Sequence, residues 1–133
     1  MEESYIFDSH ALLKLFQKEK GANEVAALLE RIRRAGREKY INAINLGEII
    51  YIIKREFGEL KKIETLAHIE RLGFKILPVP NSLIFRAAEL KAEFNISYAD
   101  CFLLASALEH RATIVTGDRE FKQVEQLVKI KWI

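Results

Sequence analysis

Residues 97–118 read SYADCFLLASALEHRATIVTGD, and this segment predicts a buried helix followed by a strand. A capping box begins at Ser97 and predicts a helix over residues 98–110. The side chains of that helix are apolar nearly all round, which is typical of a helix covered on every side. Residues 112–115 predict a strand, after which a Thr-Gly turn leads to Asp118. The segment is therefore typical of the interior of an α/β fold.

The rest of the chain alternates between strand and helix patterns. Strands are predicted at residues 5–7, 40–44, 74–79, 112–115 and 128–133, and helices at about 10–18, from Val25 to near Gly36, from near Asn45 to Gly58, and at 60–72, 81–94 and 98–110. Pro78 predicts either an edge position for the third strand or the end of that strand, and Asn81 predicts a neutral side-chain cap for the fifth helix. This alternation predicts an α/β fold with a central, mostly parallel sheet of four to five strands flanked by helices.

Length and composition limit the class of protein. The chain has 133 residues, half of them hydrophobic, which predicts a single domain over residues 1–133. The net charge of +2 is weak evidence for nucleic-acid binding and does not exclude it. Cys101 is the only cysteine, so no internal disulfide and no cysteine-based zinc site is expected. The acidic segment at residues 1–4 is not followed by a signal-peptide core, and the apolar runs are too short to cross a membrane, so a cytoplasmic protein is predicted.

Four acids stand at predicted helix starts: Asp8, Glu48, Asp100 and Asp118. Strand ends and helix starts share one edge of a parallel sheet, so these side chains are expected to meet in one pocket. Two like charges ~4 Å apart repel by about 4 kcal/mol at an effective dielectric of about 20, so such a pocket takes up protons or recruits a cation. Carboxylate oxygens suit Mg²⁺ or Mn²⁺, and these ions bind phosphates and activate water for in-line attack.

Each acid also has a structural explanation that needs no ligand. Asp8 and Asp118 suit helix N-caps, Asp100 suits the capping box, and Glu48 complements the dipole of its helix. The fold itself places such caps on the ligand edge. Two features favour a shared site: the fifth helix begins with the neutral Asn81, and Asp100 starts a buried helix with no lysine or arginine nearby in sequence.

The third helix has two apolar faces. One face is a stripe that predicts core packing: Leu46, Ile49, Ile50, Ile53 and Phe57. Glu48 lies off this stripe, alongside Tyr51, Ile52 and Arg55, where a solvated glutamate is equally expected. Because Tyr51 and Ile52 make the second face apolar as well, we expect the core to cover one face and another subunit to cover the other.

Four short motifs together resemble the PIN-domain nucleases, particularly the small VapC-type toxins of toxin–antitoxin pairs. They span nearly the whole chain in the family's order: Ile6-Phe7-Asp8-Ser9, Asn45-Leu46-Gly47-Glu48-Ile49, Tyr98-Ala99-Asp100, and Thr116-Gly117-Asp118-Arg119-Glu120-Phe121. A single motif of this kind is weak evidence, whereas four in order are fairly specific. The resemblance implies a PIN-like three-layer fold.

The resemblance also implies an activity, a cofactor and partners. It implies a ribonuclease that depends on Mg²⁺ or Mn²⁺, with an acidic quartet that carries over as Asp8, Glu48, Asp100 and Asp118. Ser9 and Thr116 would orient a ligand or metal-bound water. The expected partners are an RNA substrate, a small antitoxin protein and a second copy of the chain, as a homodimer or a dimer of dimers.

Two positions depart from the family's pattern. His10 stands where a small polar residue is common, and Asn45 stands where a hydroxyl is common. His10 invites the role of general base, but the family mechanism does not need one, and a packed or solvated histidine is the expectation. Both departures concern substrate positioning rather than the metal chemistry.

Other polar residues have ordinary structural explanations. The basic residues at 31–39 and 54–62 are expected on solvated helix faces, although they also suit phosphate contacts. His68 and His110 are expected to be structural or solvated, and Cys101 is expected in the core.

Two other classes of function compete with the nuclease. One is a non-catalytic PIN-like module that binds RNA or protein, which predicts scattered or protonated acids and no thermal shift with metal. The other is an aspartyl-phosphate phosphotransferase that uses Asp8. That chemistry usually places a second acid two residues after the first, where this chain has His10.

Overall fold

A computed structural model describes residues 3–133. Met1 and Glu2, which belong to the predicted domain and to the acidic segment at residues 1–4, lie outside the described residues. The strands are β1 (Tyr5–Phe7), β2 (Lys39–Asn42), β3 (Lys75–Leu77), β4 (Thr113–Thr116) and β5 (Ile130–Trp132). The helices are α1 (Ser9–Phe16), α2 (Ala22–Ala35), α3 (Ala43–Phe57), α4 (Glu59–Arg71), α5 (Asn81–Glu93) and α6 (Tyr98–His110), and a 3₁₀ helix spans Arg119–Val124.

The five strands form one sheet in the order β3-β2-β1-β4-β5. All four pairings are parallel, with Ile6 opposite Tyr40 on one side and Ile114 on the other. The sheet is therefore parallel throughout and has the higher of the two predicted strand numbers. The third strand lies at an edge, as Pro78 indicated.

Two hydrophobic cores lie on opposite faces of the sheet. Alternate residues of one strand enter different cores, since Ile6 packs with α5 and α6 while Phe7 packs with α1 to α4. In β4, Ile114 and Val115 divide in the same way. This helix–sheet–helix arrangement confirms the three-layer α/β fold.

Helix α6 is buried as its composition predicts. All eight residues at positions 100–107 are buried, and Ser97 caps the helix by accepting a hydrogen bond from the Asp100 backbone N–H. Cys101 is one of these core residues. Asp100 therefore lies in the first turn of a helix whose position is fixed by packing.

Several predicted boundaries and caps were wrong. Helix α3 begins at Ala43 rather than near Asn45, because the side chain of Asn42 caps it by accepting from the Ile44 N–H at 2.8 Å. The cap of α5 is Pro80 and not Asn81, which is already the first helical residue and makes no capping hydrogen bond. Pro80 is also neutral, so this helix start still does without an acid. Phe57 is 54% exposed and does not extend the core stripe of α3.

Most of the remaining polar residues follow the structural expectations, but the prediction of a solvated helix face was wrong for Lys39, which begins β2 and is buried. The ring of His68 packs against Phe16 and that of His110 packs against Tyr40. Exposed basic residues of α2 pair with their own helix, as Arg33 does with Glu30 at 2.6 Å. None of the helices within residues 3–133 is both long enough and apolar enough to span a membrane.

Candidate functional site

Asp8 lies at the carboxyl end of β1, where it caps helix α1. The Asp8 carboxylate accepts a hydrogen bond from the backbone N–H of His10, as expected for an N-cap. Only 1% of Asp8 is exposed, and burial raises the pKa of its carboxyl group, which a hydrogen bond from Thr116 opposes. Capping accounts for one lone pair of this carboxylate and leaves the rest available for other contacts.

Two hydroxyl groups hold Asp8 in a fixed orientation. Thr116, at the carboxyl end of β4, donates to Asp8 Oδ2 at 2.8 Å, and the Ser9 hydroxyl lies 3.3 Å from Asp8 Oδ1 and 3.1 Å from Glu48 Oε1, so its single proton is shared between these two carboxylates. The Thr116 hydroxyl also accepts a hydrogen bond from the backbone N–H of Asp118 at 3.0 Å. These contacts join the first and fourth sequence motifs, which are more than 100 residues apart in the chain.

Glu48 faces the same cluster rather than open solvent. Its Oε1 accepts from the Ser9 hydroxyl at 3.1 Å and from the Asn45 side-chain amide at 3.2 Å. Its side chain is half-buried, and Glu48 is the sixth residue of α3, so its predicted place in the first turn of that helix, where it would complement the dipole, was wrong. The solvated alternative for Glu48 is therefore wrong.

Asp100 is a buried acid whose ionisation the neighbouring acids oppose. Burial raises the pKa of Asp100 to about 8, and the negative charges of Asp8, Asp118 and Glu48 add to the effect, while the hydrogen bond with Ser97 opposes it. A carboxylate near three others on a buried helix has too little water around it to carry its charge alone. The charges of Asp8, Asp118 and Glu48 therefore all act on Asp100.

Asp118 caps the 3₁₀ helix and brings in a further acid. Its carboxylate accepts from the backbone N–H of Glu120 at 2.9 Å. Carboxylate oxygens of Asp100, Asp118 and Glu120 all lie within 4.8 Å of one another. The fourth motif includes Glu120, but sequence reasoning did not identify it as a site residue, because an acid in the first turn of a helix is ordinary in sequence.

The structure therefore brings all four predicted acids to the carboxyl edge of the sheet, together with Ser9 and Thr116. His10 lies beside them: it is exposed, and its charge lowers the pKa of Asp8. The chain contains three aspartates, and all three belong to this cluster. That distribution is not expected of aspartates that serve only as solvated helix caps.

The PIN-domain family model matches residues 5–127 of the chain. The chain belongs to the PIN-domain family. This confirms the family resemblance of the four motifs, and the matched residues include every acid of the cluster.

Solved structures share the fold of this PIN domain. Similar chains come from VapBC2 of Rickettsia felis bound to a promoter DNA fragment (TM-score 0.80, 20% identity, covering 97% of this chain and 98% of that chain) and from a toxin–antitoxin complex of Klebsiella pneumoniae (TM-score 0.72, 24% identity, 98% and 100%). A third is VapC20 of Mycobacterium tuberculosis, named as a sarcin-ricin loop cleaving toxin (TM-score 0.68, 14% identity, 84% and 87%). No curated protein sequence matches this PIN domain.

The residues of the cluster fit a hard divalent cation. Every available donor is an oxygen, and no ion pair between described residues involves Asp8, Glu48, Asp100 or Asp118. Metal–oxygen distances of about 2.0–2.6 Å place the ligands of one ion roughly 3–5 Å apart, which matches the oxygens of Asp100, Asp118 and Glu120. A cation would also offset the repulsion that raises the pKa of Asp100.

A cavity of about 580 Å³ lies away from this cluster, at the amino ends of the strands. Tyr5, Thr113 and Ile130 line it, together with exposed side chains of both charge signs. Parallel α/β proteins bind ligands at the opposite, carboxyl edge. The acidic edge is therefore the candidate functional site of this PIN domain.

Proposed function

We propose that this PIN domain is a divalent-metal-dependent endoribonuclease and the toxin of a toxin–antitoxin pair. The observation that carries the proposal is the meeting of Asp8, Glu48, Asp100 and Asp118 at one edge, with the pKa of Asp100 raised to about 8. Burial and mutual repulsion oppose the ionisation of these carboxylates, and a bound cation would offset both. Mg²⁺ and Mn²⁺ are the cations that this all-oxygen donor set suits.

The geometry suggests a separate role for each residue. Asp100 shares a group of carboxylate oxygens within 4.8 Å with Asp118 and Glu120, and the charges of Asp8 and Glu48 also act on it, so it is proposed as the central metal ligand. Ser9 and Thr116 keep the carboxylate of Asp8 in the orientation that binding needs. A bound cation would lower the pKa of a water molecule and stabilise negative charge on phosphate oxygens.

RNA is the proposed substrate because the chemistry suits a phosphodiester and the family is a nuclease family. A metal held by carboxylates acts on an anionic group that can reach it, and a phosphodiester offers such oxygens. The structural neighbour VapC20 is named as a sarcin-ricin loop cleaving toxin, which supports an RNA target for a protein of this fold.

The proposed protein partners are an antitoxin and a second copy of the chain. Large apolar side chains remain exposed along α3 and α4, including Tyr51, Phe57, Leu60 and Ile63. Exposed apolar surface of this extent is typical of a surface that another protein covers. Structural neighbours are toxin–antitoxin complexes, which supports an antitoxin as one such partner. The proposed location of this chain and its antitoxin is the cytoplasm.

The test is RNA cleavage by the purified full-length chain without antitoxin. The wild type is expected to cleave RNA when Mn²⁺ or Mg²⁺ is added and to stop when EDTA is added. Asp8→Asn and Asp100→Asn are expected to lower the rate at least about 100-fold, since each removes a proposed ligand. Glu109→Gln is the matched control, because Glu109 is an exposed acid at the other end of α6.

Cleavage that is indifferent to metal, or equal rates for wild type, Asp8→Asn and Asp100→Asn, would refute the nuclease proposal. No cleavage of any RNA, combined with RNA or protein binding, would favour the non-catalytic PIN-like module instead.

A further inference from the structure

Asn45 is a fully buried amide that touches the acidic cluster but is not one of its acids. It lies in the first turn of α3, three residues before Glu48. Its Nδ2 donates to Glu48 Oε1 at 3.2 Å and lies 3.5 Å from the carbonyl oxygen of Ala99, the residue before Asp100. The side chain thus spans the gap between the helix of Glu48 and the helix of Asp100.

The orientation of this amide follows from the chemistry of its neighbours. An ionised carboxylate and a backbone carbonyl only accept hydrogen bonds, so the NH₂ end of Asn45 must face Glu48 and Ala99. Rotating the amide by 180° would place its oxygen against two other oxygens. The Oδ1 atom therefore points to the remaining side of the group, and the hydrogen-bond network determines this direction.

That Oδ1 atom lacks a hydrogen-bond donor. It is buried, and none of the residues in the described part of the chain donates to it. An unpaired acceptor in the interior destabilises the fold, so stability alone does not account for an asparagine at this position. The amide of Asn42, three residues earlier and equally buried, is satisfied by contrast: it donates to Ser106 at 2.8 Å and accepts from Ile44.

We infer that Asn45 is a positioning residue of the metal site: through Nδ2 it holds the carboxylate of Glu48 next to the backbone of the segment that carries Asp100. The inference rests on the proposed function and assigns a role to the side chain that departs from the family's usual hydroxyl. Substituting a residue that orients a metal ligand without touching the metal typically changes metal affinity about 10- to 100-fold.

The experiment compares Mn²⁺ affinity with the stability of the metal-free protein. Asn45→Leu is nearly isosteric and removes both the donor and the unpaired acceptor. We expect its Mn²⁺ dissociation constant, measured by calorimetric titration of the full chain, to rise at least about 10-fold. Its melting temperature without metal should stay the same or rise, because an unpaired buried oxygen has been removed. Asn45→Ser keeps a shorter hydroxyl group. Its Mn²⁺ affinity is expected to lie between those of Asn45→Leu and the wild type, at least about threefold below the wild type.

Asn42→Ser is the matched control. Serine still caps α3 but loses the hydrogen bond to Ser106, so this variant should melt at a lower temperature and bind Mn²⁺ within about twofold of the wild type. Substitution of Asn45 is therefore expected to change Mn²⁺ affinity, whereas substitution of Asn42 is expected to change stability.

Three results would overturn the inference. If Asn45→Leu, or Asn45→Ser where the leucine variant does not fold, binds Mn²⁺ as tightly as the wild type, Asn45 has no part in the metal site. If Asn42→Ser weakens Mn²⁺ binding as much as Asn45→Leu does, the effect is a general one of packing. If the wild type itself binds no Mn²⁺, both this inference and the nuclease proposal are wrong, whereas the first two results leave the nuclease proposal intact.

Discussion

Replacing Asp100 with asparagine should stabilise the metal-free protein at alkaline pH. Burial and the neighbouring acids raise the pKa of Asp100 from 3.8 to about 8. An acid of this kind keeps its proton in the folded state at pH values where the unfolded chain has released it. The free energy of unfolding therefore falls as pH rises from about 4 to about 8.

The size of the effect follows from the same shift. Raising the pKa from 3.8 to about 8 corresponds to roughly 5–6 kcal/mol at 1.36 kcal/mol per pH unit. Because neighbouring carboxylates and water entering the open edge share this energy, we expect about 2–4 kcal/mol in practice. The amide introduced by Asp100→Asn would carry no charge at any pH, so most of that loss should vanish in this variant. Asp8, whose pKa is also raised, should account for the remainder.

The assay is urea unfolding of EDTA-treated protein at pH 5 and pH 8.5. The wild type should lose about 2–4 kcal/mol between the two, while Asp100→Asn should lose less than half as much. Glu120→Gln removes an exposed carboxylate from the same cluster and should behave as the wild type does. Equal pH dependence in wild type and Asp100→Asn would refute the argument that packing in this cluster opposes the ionisation of Asp100.

Three further perturbations test the same structure. Mn²⁺ at about 100 times its dissociation constant should stabilise the wild type by roughly 2.7 kcal/mol and raise its melting temperature by several degrees in a thermal scan, and no shift would contradict a metal site. Thr116→Val removes the hydroxyl that donates to Asp8, so the Mn²⁺ affinity should fall about 10-fold by calorimetry; an unchanged affinity would show that the hydroxyl does not orient Asp8. Gly117→Ala would place a methyl group 2.6 Å from Lys14 Nζ and 3.1 Å from the Ile133 carbonyl oxygen. The free energy of unfolding in urea should therefore fall by about 1 kcal/mol, and adding Lys14→Ala should recover part of this loss. An unchanged free energy of unfolding in Gly117→Ala would contradict the close approach.

Local patterns were sufficient for most of the elements of the fold. The alternation of strands and helices and the buried character of α6 are properties of neighbouring residues, and the structure confirms both. Boundaries were less accurate where a side chain could act in two ways. Asn42 was expected inside a strand but caps α3, whereas Asn81 was expected as a cap but is the first residue of α5. An asparagine side chain can bond to the nearby backbone or leave it free, so the residue type alone does not fix which position is the cap.

The candidate site was predictable to the extent that a motif marks a position in the chain. Asp8, Glu48, Asp100 and Asp118 were identified from their places at helix starts, and the structure brings them together. Glu120 was missed because an exposed glutamate in the first turn of a helix is ordinary in sequence. Only its distance from Asp100, set by the path of the chain after β4, distinguishes it from other such residues.

The sequence by itself determined the order of the elements, the family, and the four acids, three of which stand at strand ends or helix starts while Glu48 lies in the second turn of α3. These are recorded in the spacing of apolar residues and caps, which depends on the geometry of a few consecutive residues. Tertiary structure alone decided that β1 lies between β2 and β4, which brings Thr116 within 2.8 Å of Asp8. It also decided the raised pKa of Asp100 and the unpaired oxygen of Asn45, because desolvation and hydrogen-bond satisfaction depend on residues from distant parts of the chain that pack around each group.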